Sequence, residues 1–346
     1  MKKIILIYLA ISALNSCKKA DENNPVQVDV YIAGYGYAND SPQSNAIARY
    51  WKNGIPVDLT EGTEIAMAKS VFVSGTDVYV AGYEACGDST YALYWKNGIP
   101  VNLPCDLKYT FAESIFVSGE DIHVVGWGFG TYPYVEVPRY WKNGVLIKLT
   151  DDTKFSRAFS VTVSDNDVYV AGFEANMVGF TVAKYWKNGV SVNLTDGSLN
   201  ALANEIIVSG HDVYVTGVEL KRNEVATYWK NGIPTYLTDG TKGAKANSIV
   251  VSGKDVFVAG SEGKSTQNFT DIAKYWKNGI AVDITDGNIP SCANSIAVIE
   301  DKVYIAGSQY LHLNNKAKYW GYNIDSNPVD ETLSDGEAFS IYLSIK

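Results

Sequence analysis

From residue 26 onward the chain is written in short apolar stretches, each closed by a turn, and residues 66–104 are typical. Ala68-Lys69-Ser70-Val71-Phe72-Val73 comes first and the run Val78 to Tyr83 second; Tyr91 to Lys96 and Ile99 to Leu103 follow. Apolar and polar positions alternate or run solidly apolar, and β-branched and aromatic residues dominate, as in strands buried on both faces. Ser74-Gly75 with Asp77 marks a tight turn between the first two stretches. Asn97-Gly98 marks a two-residue hairpin between the last two, because a type I′ turn needs positive φ at both central residues. The pattern predicts four antiparallel strands, a to d. Helical periodicity is absent beyond the N-terminal segment.

The unit repeats. Tyr-Trp occurs with Trp51, Trp95, Trp141, Trp186, Trp229, Trp276 and Trp320, at intervals of 43 to 47 residues, mostly as Tyr-Trp-Lys-Asn-Gly. A second marker, the glycine that ends strand b, falls at Gly34, Gly82, Gly126, Gly172, Gly217, Gly260 and Gly307. A period in the mid-forties built from short strands means propeller blades. The expected fold is all-β, a seven-bladed β-propeller of four-stranded blades. The Tyr and Trp of strand c point to opposite sides, so the core is expected between neighbouring blades. The first repeat lacks strand a and starts at Val28-Asp29-Val30-Tyr31, while the chain ends in Ala338-Phe339-Ser340-Ile341-Tyr342-Leu343, which matches strand a. A blade closed by that C-terminal strand with N-terminal strands b, c and d removes the open edge.

Over residues 26–346 this pattern resembles the kelch repeat. Kelch blades share the apolar strand a, the strand b ending in glycines, and a Tyr and Trp downstream. Here the doublet is Ala-Gly, as in Ala81-Gly82, and the Trp sits beside the Tyr. The resemblance implies a propeller that acts mostly as a binding scaffold, with a few enzymes among its kin.

The N-terminus reads as an address. Lys2 and Lys3 precede an apolar stretch, Ile4 to Leu14, too short to span a bilayer. It ends in Leu14-Asn15-Ser16-Cys17, which resembles a bacterial lipobox. Residues 1–16 are expected to be a lipoprotein signal peptide, 17–25 a lipidated Cys17 and tether, and 26–346 the propeller. A plain signal peptide with an incidental cysteine is the competing reading. Lys18-Lys19-Ala20-Asp21-Glu22 resembles sequences that send lipoproteins to the outer cell surface, and ordinary linker composition explains it equally well. The expected location is the bacterial outer membrane, with surface exposure one option.

Charge narrows the partners. The formal net charge of −9 becomes −11 once Lys2 and Lys3 are removed. That argues against nucleic acid, and it leaves the N-terminal lipid as the sole membrane contact. A monomer is expected, with no cofactor. Cys86 and Cys105 fall at the same end of one blade, but strand c between them separates straight strands beyond the roughly 7 Å limit for a disulfide. A bridge there would need loop excursions. Cys292 has no evident partner, and no metal-ligand spacing occurs.

The b–c loops vary most between repeats, so recognition is expected on the b–c/d–a face. Two constellations fall there. Tyr35, Tyr37, Tyr83, Trp127, Phe129, Tyr132 and Tyr134 form an aromatic group across three consecutive blades. It suits stacking on sugar rings or peptide side chains; the competing reading is that these aromatics bury one another. Trp127 is the one Trp outside Tyr-Trp, so blade packing is not expected to require it. Glu84, Glu174, Glu219 and Glu262 share one position, two residues after the strand-b glycine. They suit a cation or acid/base work, against a repeat-encoded structural role. His312, in a b–c loop, is the histidine best placed for a ligand. The favoured function is a non-catalytic envelope lipoprotein binding a glycan or protein. A propeller hydrolase or lyase using the Glu residues, and a structural subunit of an envelope complex, are the alternatives.

Cys17→Ser should release soluble protein or leave an uncleaved precursor. A mutant that still partitions into detergent at mature size would refute the anchor.

Overall fold

The computed structural model describes residues 26–38, 41–129, 135–265, 270–300, 302–312, 314–323 and 329–346. Seven four-stranded antiparallel sheets form the ring, each in the order a-b-c-d. Blade 2, for example, consists of Ala66–Ser74, Asp77–Cys86, Ser89–Lys96 and Ile99–Asn102. Blades are numbered from the one containing Val28–Tyr37. Its strand a is Glu337–Ile345, paired from Val28↔Ile345 to Tyr35↔Glu337, so the chain ends close the ring as expected.

Each repeat marker has a backbone cause. Strand a is bulged opposite the strand-b glycine, as between Ala68 and Ser70. A Cβ on Gly82 would lie 1.9 Å from the Met67 carbonyl oxygen, and the six equivalent glycines face the same collision. Asn97 and Gly98 have φ of 52° and 81°, the type I′ hairpin. The Asn97 side chain also accepts the Val78 N–H and donates to Asp77, while Lys96 pairs with the same carboxylate. The arrangement recurs at Asp121 with Lys142 and Asn143, and at Asp167 with Lys187 and Asn188. Asp77, read from the sequence as part of the a–b turn, and its equivalents thus also fasten strand b to the c–d turn, and the Lys of Tyr-Trp-Lys-Asn-Gly shares in that clasp.

The core lies between blades. All seven Tyr-Trp tryptophans are at most 1% exposed. Trp95 packs with Tyr31, Ala33 and Ala48 of blade 1, whereas Tyr94 and Ala81 pack with Ile115, Val117 and Trp141 of blade 3. Near the axis, a side-chain oxygen on each strand a accepts a backbone N–H from strand a of the next blade. Ser70 accepts from Ile115 (3.3 Å), Ser114 from Val161 (3.2 Å), and Ser160 from Ile206 (3.3 Å). Ser248 accepts from Ile296, Ser295 from Ile341 and Ser340 from Val71, closing the circle. Blade 5 departs: Glu205 replaces the serine and accepts from Ile249 at 2.5 Å. Glu205 is partly exposed by area yet enclosed at longer range, as for a side chain facing the axis, and this burial pushes its carboxyl up to about 7.

Between pH 4.5 and 7 the folded state keeps the Glu205 proton that the unfolded chain has lost, so stability falls as pH rises through that window. Glu205→Ser, which restores the residue of the other blades, should stabilise the protein by up to about 3 kcal/mol at pH 8 and by nothing near pH 4. Urea unfolding at both pH values checks this; an equal difference at both refutes it.

Candidate functional site

The residue following each strand-b glycine points toward the next blade at the mouth of the b–c/d–a face. Around the ring this position is Tyr35, Tyr83, Trp127, Phe173, Val218, Ser261 and Ser308. It divides the mouth into two halves.

In blades 1 to 4 the aromatics close the gaps between blades. Tyr83 meets Phe111 edge-on at 4.9 Å, and Phe111 stacks on Trp127 at 4.4 Å. The Arg157 guanidinium, held by Glu136, lies 3.8 Å from the Trp127 ring centre. The indole N–H donates to Glu113 at 2.9 Å. Trp127 is only 9% exposed and has no open face. The expectation that blade packing does not need it is therefore overturned: it fills a repeat-encoded gap between strand a of its own blade and Arg157 of the next. Tyr35 is buried and donates to Glu337 at 3.1 Å. The half-buried Tyr83 hydroxyl reaches the Met67 sulfur, and burial pushes its phenol up to about 12. Tyr37 packs edge-on against Tyr35, and Phe129 against Trp127. The aromatics thus bury one another. Tyr132 and Tyr134 lie outside the described residues.

The acidic position faces the other way, toward the preceding blade, on the same side as the Trp. Its residue matches the strand-c residue just before Tyr-Trp. Glu174 pairs with Lys184 at 3.2 Å, and Glu262 with Lys274 at 2.5 Å. Where strand b has glycine, strand c has arginine: Gly36 with Arg49, and Gly128 with Arg139. A Cβ on Gly36 would lie 2.5 Å from an Arg49 terminal nitrogen. Those arginines pair instead with the acids Asp58 and Asp152. Leu93 replaces the base in blade 2, and there burial, with Glu64 nearby, raises the Glu84 carboxyl. Thr227 replaces it in blade 5, where Glu219 accepts from the Tyr236 hydroxyl. Glu174 and Glu262 thus belong to intra-blade ion pairs, Glu219 takes a tyrosine hydroxyl, and Glu84 stands without the base, so the four act separately within their own blades. Among the described residues no cluster of His, Cys, Asp and Glu could hold a metal ion. His312 is exposed over a shallow concavity with Pro290 and Tyr310.

In blades 5 to 7 the gap-filling aromatics are missing. Between blades 5 and 6 a cleft of 330 Å³ opens, lined by Arg222, Glu224, Lys245, Ser261 and Asp271 among others. Lys245 pairs with Glu224 at 3.6 Å. Burial raises the Asp271 carboxyl and Glu224 adds to the rise, while Lys245 opposes it. Beside the cleft, the Cys292 sulfur takes a bond from the Asn247 amide at 3.1 Å. Burial pushes its thiol up to about 11, so it is neutral and no nucleophile at neutral pH. Cys86, Cys105 and Cys292 are all free thiols. Sequence reading missed Glu224, Lys245, Ser261 and Asp271.

No protein-family model and no curated protein matches the sequence. Solved structures show likeness of fold. A Mycobacterium tuberculosis puromycin-hydrolyzing peptidase aligns with a TM-score of 0.54 and 10% identity, over 88% of this chain and 53% of that one. This chain therefore spans about half the length of the peptidase. A thermostable family-43 glycoside hydrolase aligns with a TM-score of 0.40 and 10% identity, over 64% of this chain and 93% of that one. The seven-bladed propeller is the common ground with the peptidase.

Trp127→Ala should cost roughly 3 kcal/mol of unfolding free energy, the range for truncating a buried aromatic, and Trp127→Phe much less. Denaturant unfolding of both variants checks this; an unchanged midpoint for Trp127→Ala refutes the packing role.

Proposed function

We propose that this protein is an envelope lipoprotein, anchored through Cys17, whose propeller binds a glycan in the cleft between blades 5 and 6 without altering it. The single observation that carries this is the 330 Å³ cleft lined by Arg222, Glu224, Lys245 and Asp271, a concave polar site on the face that blades 1 to 4 fill with aromatics. Arg222 and Lys245 supply donors, and Glu224 and Asp271 supply acceptors, within one small cleft. Sugar hydroxyls donate and accept, so they suit a site holding both kinds of group. The short b–c segment Lys221 to Asn223 leaves the cleft open on the blade 5 side.

Hydrolysis is the second reading, and Asp271 favours it. A carboxyl raised by burial beside a second acid, Glu224, is the form of a general acid with its partner. The peptidase likeness supports the fold on which such chemistry would sit, not the chemistry.

Lys245→Ala, which removes a donor from the cleft, should reduce glycan binding at least tenfold, about 1.4 kcal/mol, with folding intact. Glycan-array screening and calorimetry on residues 26–346 make the comparison. Unchanged binding moves the site elsewhere on the face. If bound glycan is cleaved, and Asp271→Asn retains binding while cleavage stops, the hydrolase reading replaces the binding one.

A further inference from the structure

The two chain ends leave the propeller from the same face, the one carrying the a–b and c–d turns. Val28 pairs with Ile345, and the Lys346 N–H donates to the Gln27 carbonyl at 3.0 Å. Asp29 accepts from Asn53 of the neighbouring c–d turn at 2.8 Å. Whatever precedes residue 26 therefore joins the propeller at this face.

The same face carries a ring of apolar tips. The first residue of strand d, immediately after the Asn-Gly turn in six blades, is Ile55, Ile99, Ile233 or Ile280 in four blades and Val145, Val190 or Val329 in the other three. Each is between 49% and 73% exposed. Single exposed hydrophobes are ordinary, but here every blade presents one at the same height. Ile345, beside the chain ends, adds another at 63% exposed. The lysine just before each Asn-Gly turn is paired to an aspartate, as Lys96 is to Asp77 and Lys277 to Asp255, so the ring is bordered by compensated charge. The charges at its border being paired, the attraction of this face for a lipid headgroup layer is that of its apolar tips.

We propose that this face rests on the bilayer that holds the Cys17 lipid, with the ring of β-branched tips among the headgroups and the cleft of blades 5 and 6 directed away from the membrane. The proposal rests on the Cys17 anchor and departs from the expectation that the N-terminal lipid is the sole membrane contact. Residues 18–25 reach at most roughly 30 Å, even fully extended. Strand b of blade 1, Val28–Tyr37, alone covers about 30 Å from one face to the other. Such a tether cannot carry the anchor around the rim, so the lipid seats the face on which the chain begins.

The test uses full-length lipidated protein reconstituted in phosphatidylcholine–phosphatidylglycerol vesicles containing headgroup-nitroxide lipid. A single fluorophore is placed either at Thr76→Cys, in an exposed a–b turn, or at native Cys86, exposed on the opposite face; Cys17 is kept, Cys105 and Cys292 are replaced by serine, and so is Cys86 in the Thr76→Cys variant. Quenching at position 76 should exceed that at Cys86 several-fold. Replacing Ile55, Ile99, Ile233 and Ile280 together with Asp should reduce it, with membrane partition unchanged. Equal quenching at both positions, stronger quenching at Cys86, or no effect of the four substitutions overturns the proposal. Intact mass separates the two claims: a mature protein without acyl chains on Cys17 sinks the anchor and the orientation together, whereas a lipidated protein with no preferential quenching sinks the orientation alone.

Discussion

Each blade buries a tryptophan against the blade before it and a tyrosine toward the blade after it. A Trp side chain buries on the order of 200 Å², worth roughly 5 kcal/mol by area as an upper figure. No blade can collect this alone, because both its faces are apolar and each needs a neighbour. The chain must therefore either continue indefinitely or close. It closes through Glu337–Ile345 on Val28–Tyr37, so that Trp51 is as deeply buried as the tryptophans of the internal blades. The serine hydroxyls near the axis follow from the same geometry. Innermost strands converge there without pairing as a sheet, so their facing amides need an acceptor from the next blade, and a short hydroxyl side chain supplies it.

The packing that fixes the ring also rations where the mouth can vary. The bulge on strand a forces glycine on strand b, and the backbone on either side is then the same in every blade. The side chain after that glycine is left free to choose between filling the gap to the next blade and leaving it open. Blades 1 to 4 fill it with aromatics, and blade 5 with Val218. Blades 6 and 7 carry Ser261 and Ser308, both buried although small.

The fold was legible because its markers answer to local backbone rules. A type I′ turn demands Asn-Gly, and a carbonyl 1.9 Å from a would-be Cβ demands Gly82. The glycine recurs at every blade and the Asn-Gly turn at six, regardless of the loops between. The site was less legible because its determinants are pairs whose sequence spacing varies with the b–c loop. Glu174 meets Lys184, but Glu262 meets Lys274, across a longer loop. Read along strand b alone, the glutamates look like a ring of free carboxylates; read with strand c, each belongs to a pair or a substituted pair. Trp127 misled for a related reason. It is singular as a tryptophan but ordinary as the large aromatic that follows the strand-b glycine, where Tyr83 and Phe173 stand in the adjacent blades.

The coupling of strand b to strand c also explains why the acids do not combine into one electrostatic site. Gly36 leaves room for Arg49, which turns outward to Asp58 on strand d; Glu262 takes Lys274, which also reaches Asp283 at 3.1 Å. In both solutions a strand-c cation meets an acid of its own blade, Asp58 on strand d for Arg49, or Glu262 and Asp283 on strands b and d for Lys274. Where the ion pair is present, exchanging one member strands the charge of the other, which makes those positions poorly suited to a ligand site; blades 2 and 5 escape it with Leu93 and Thr227. The gap-facing row carries no such debt. Ser261 and Val218 owe nothing to a charged partner, and the neighbouring Lys245, Glu224 and Asp271 come from different strands and two different blades. Freedom from the pairing rule, more than the number of acids or aromatics on the face, is what makes the cleft between blades 5 and 6 the place where recognition can be built.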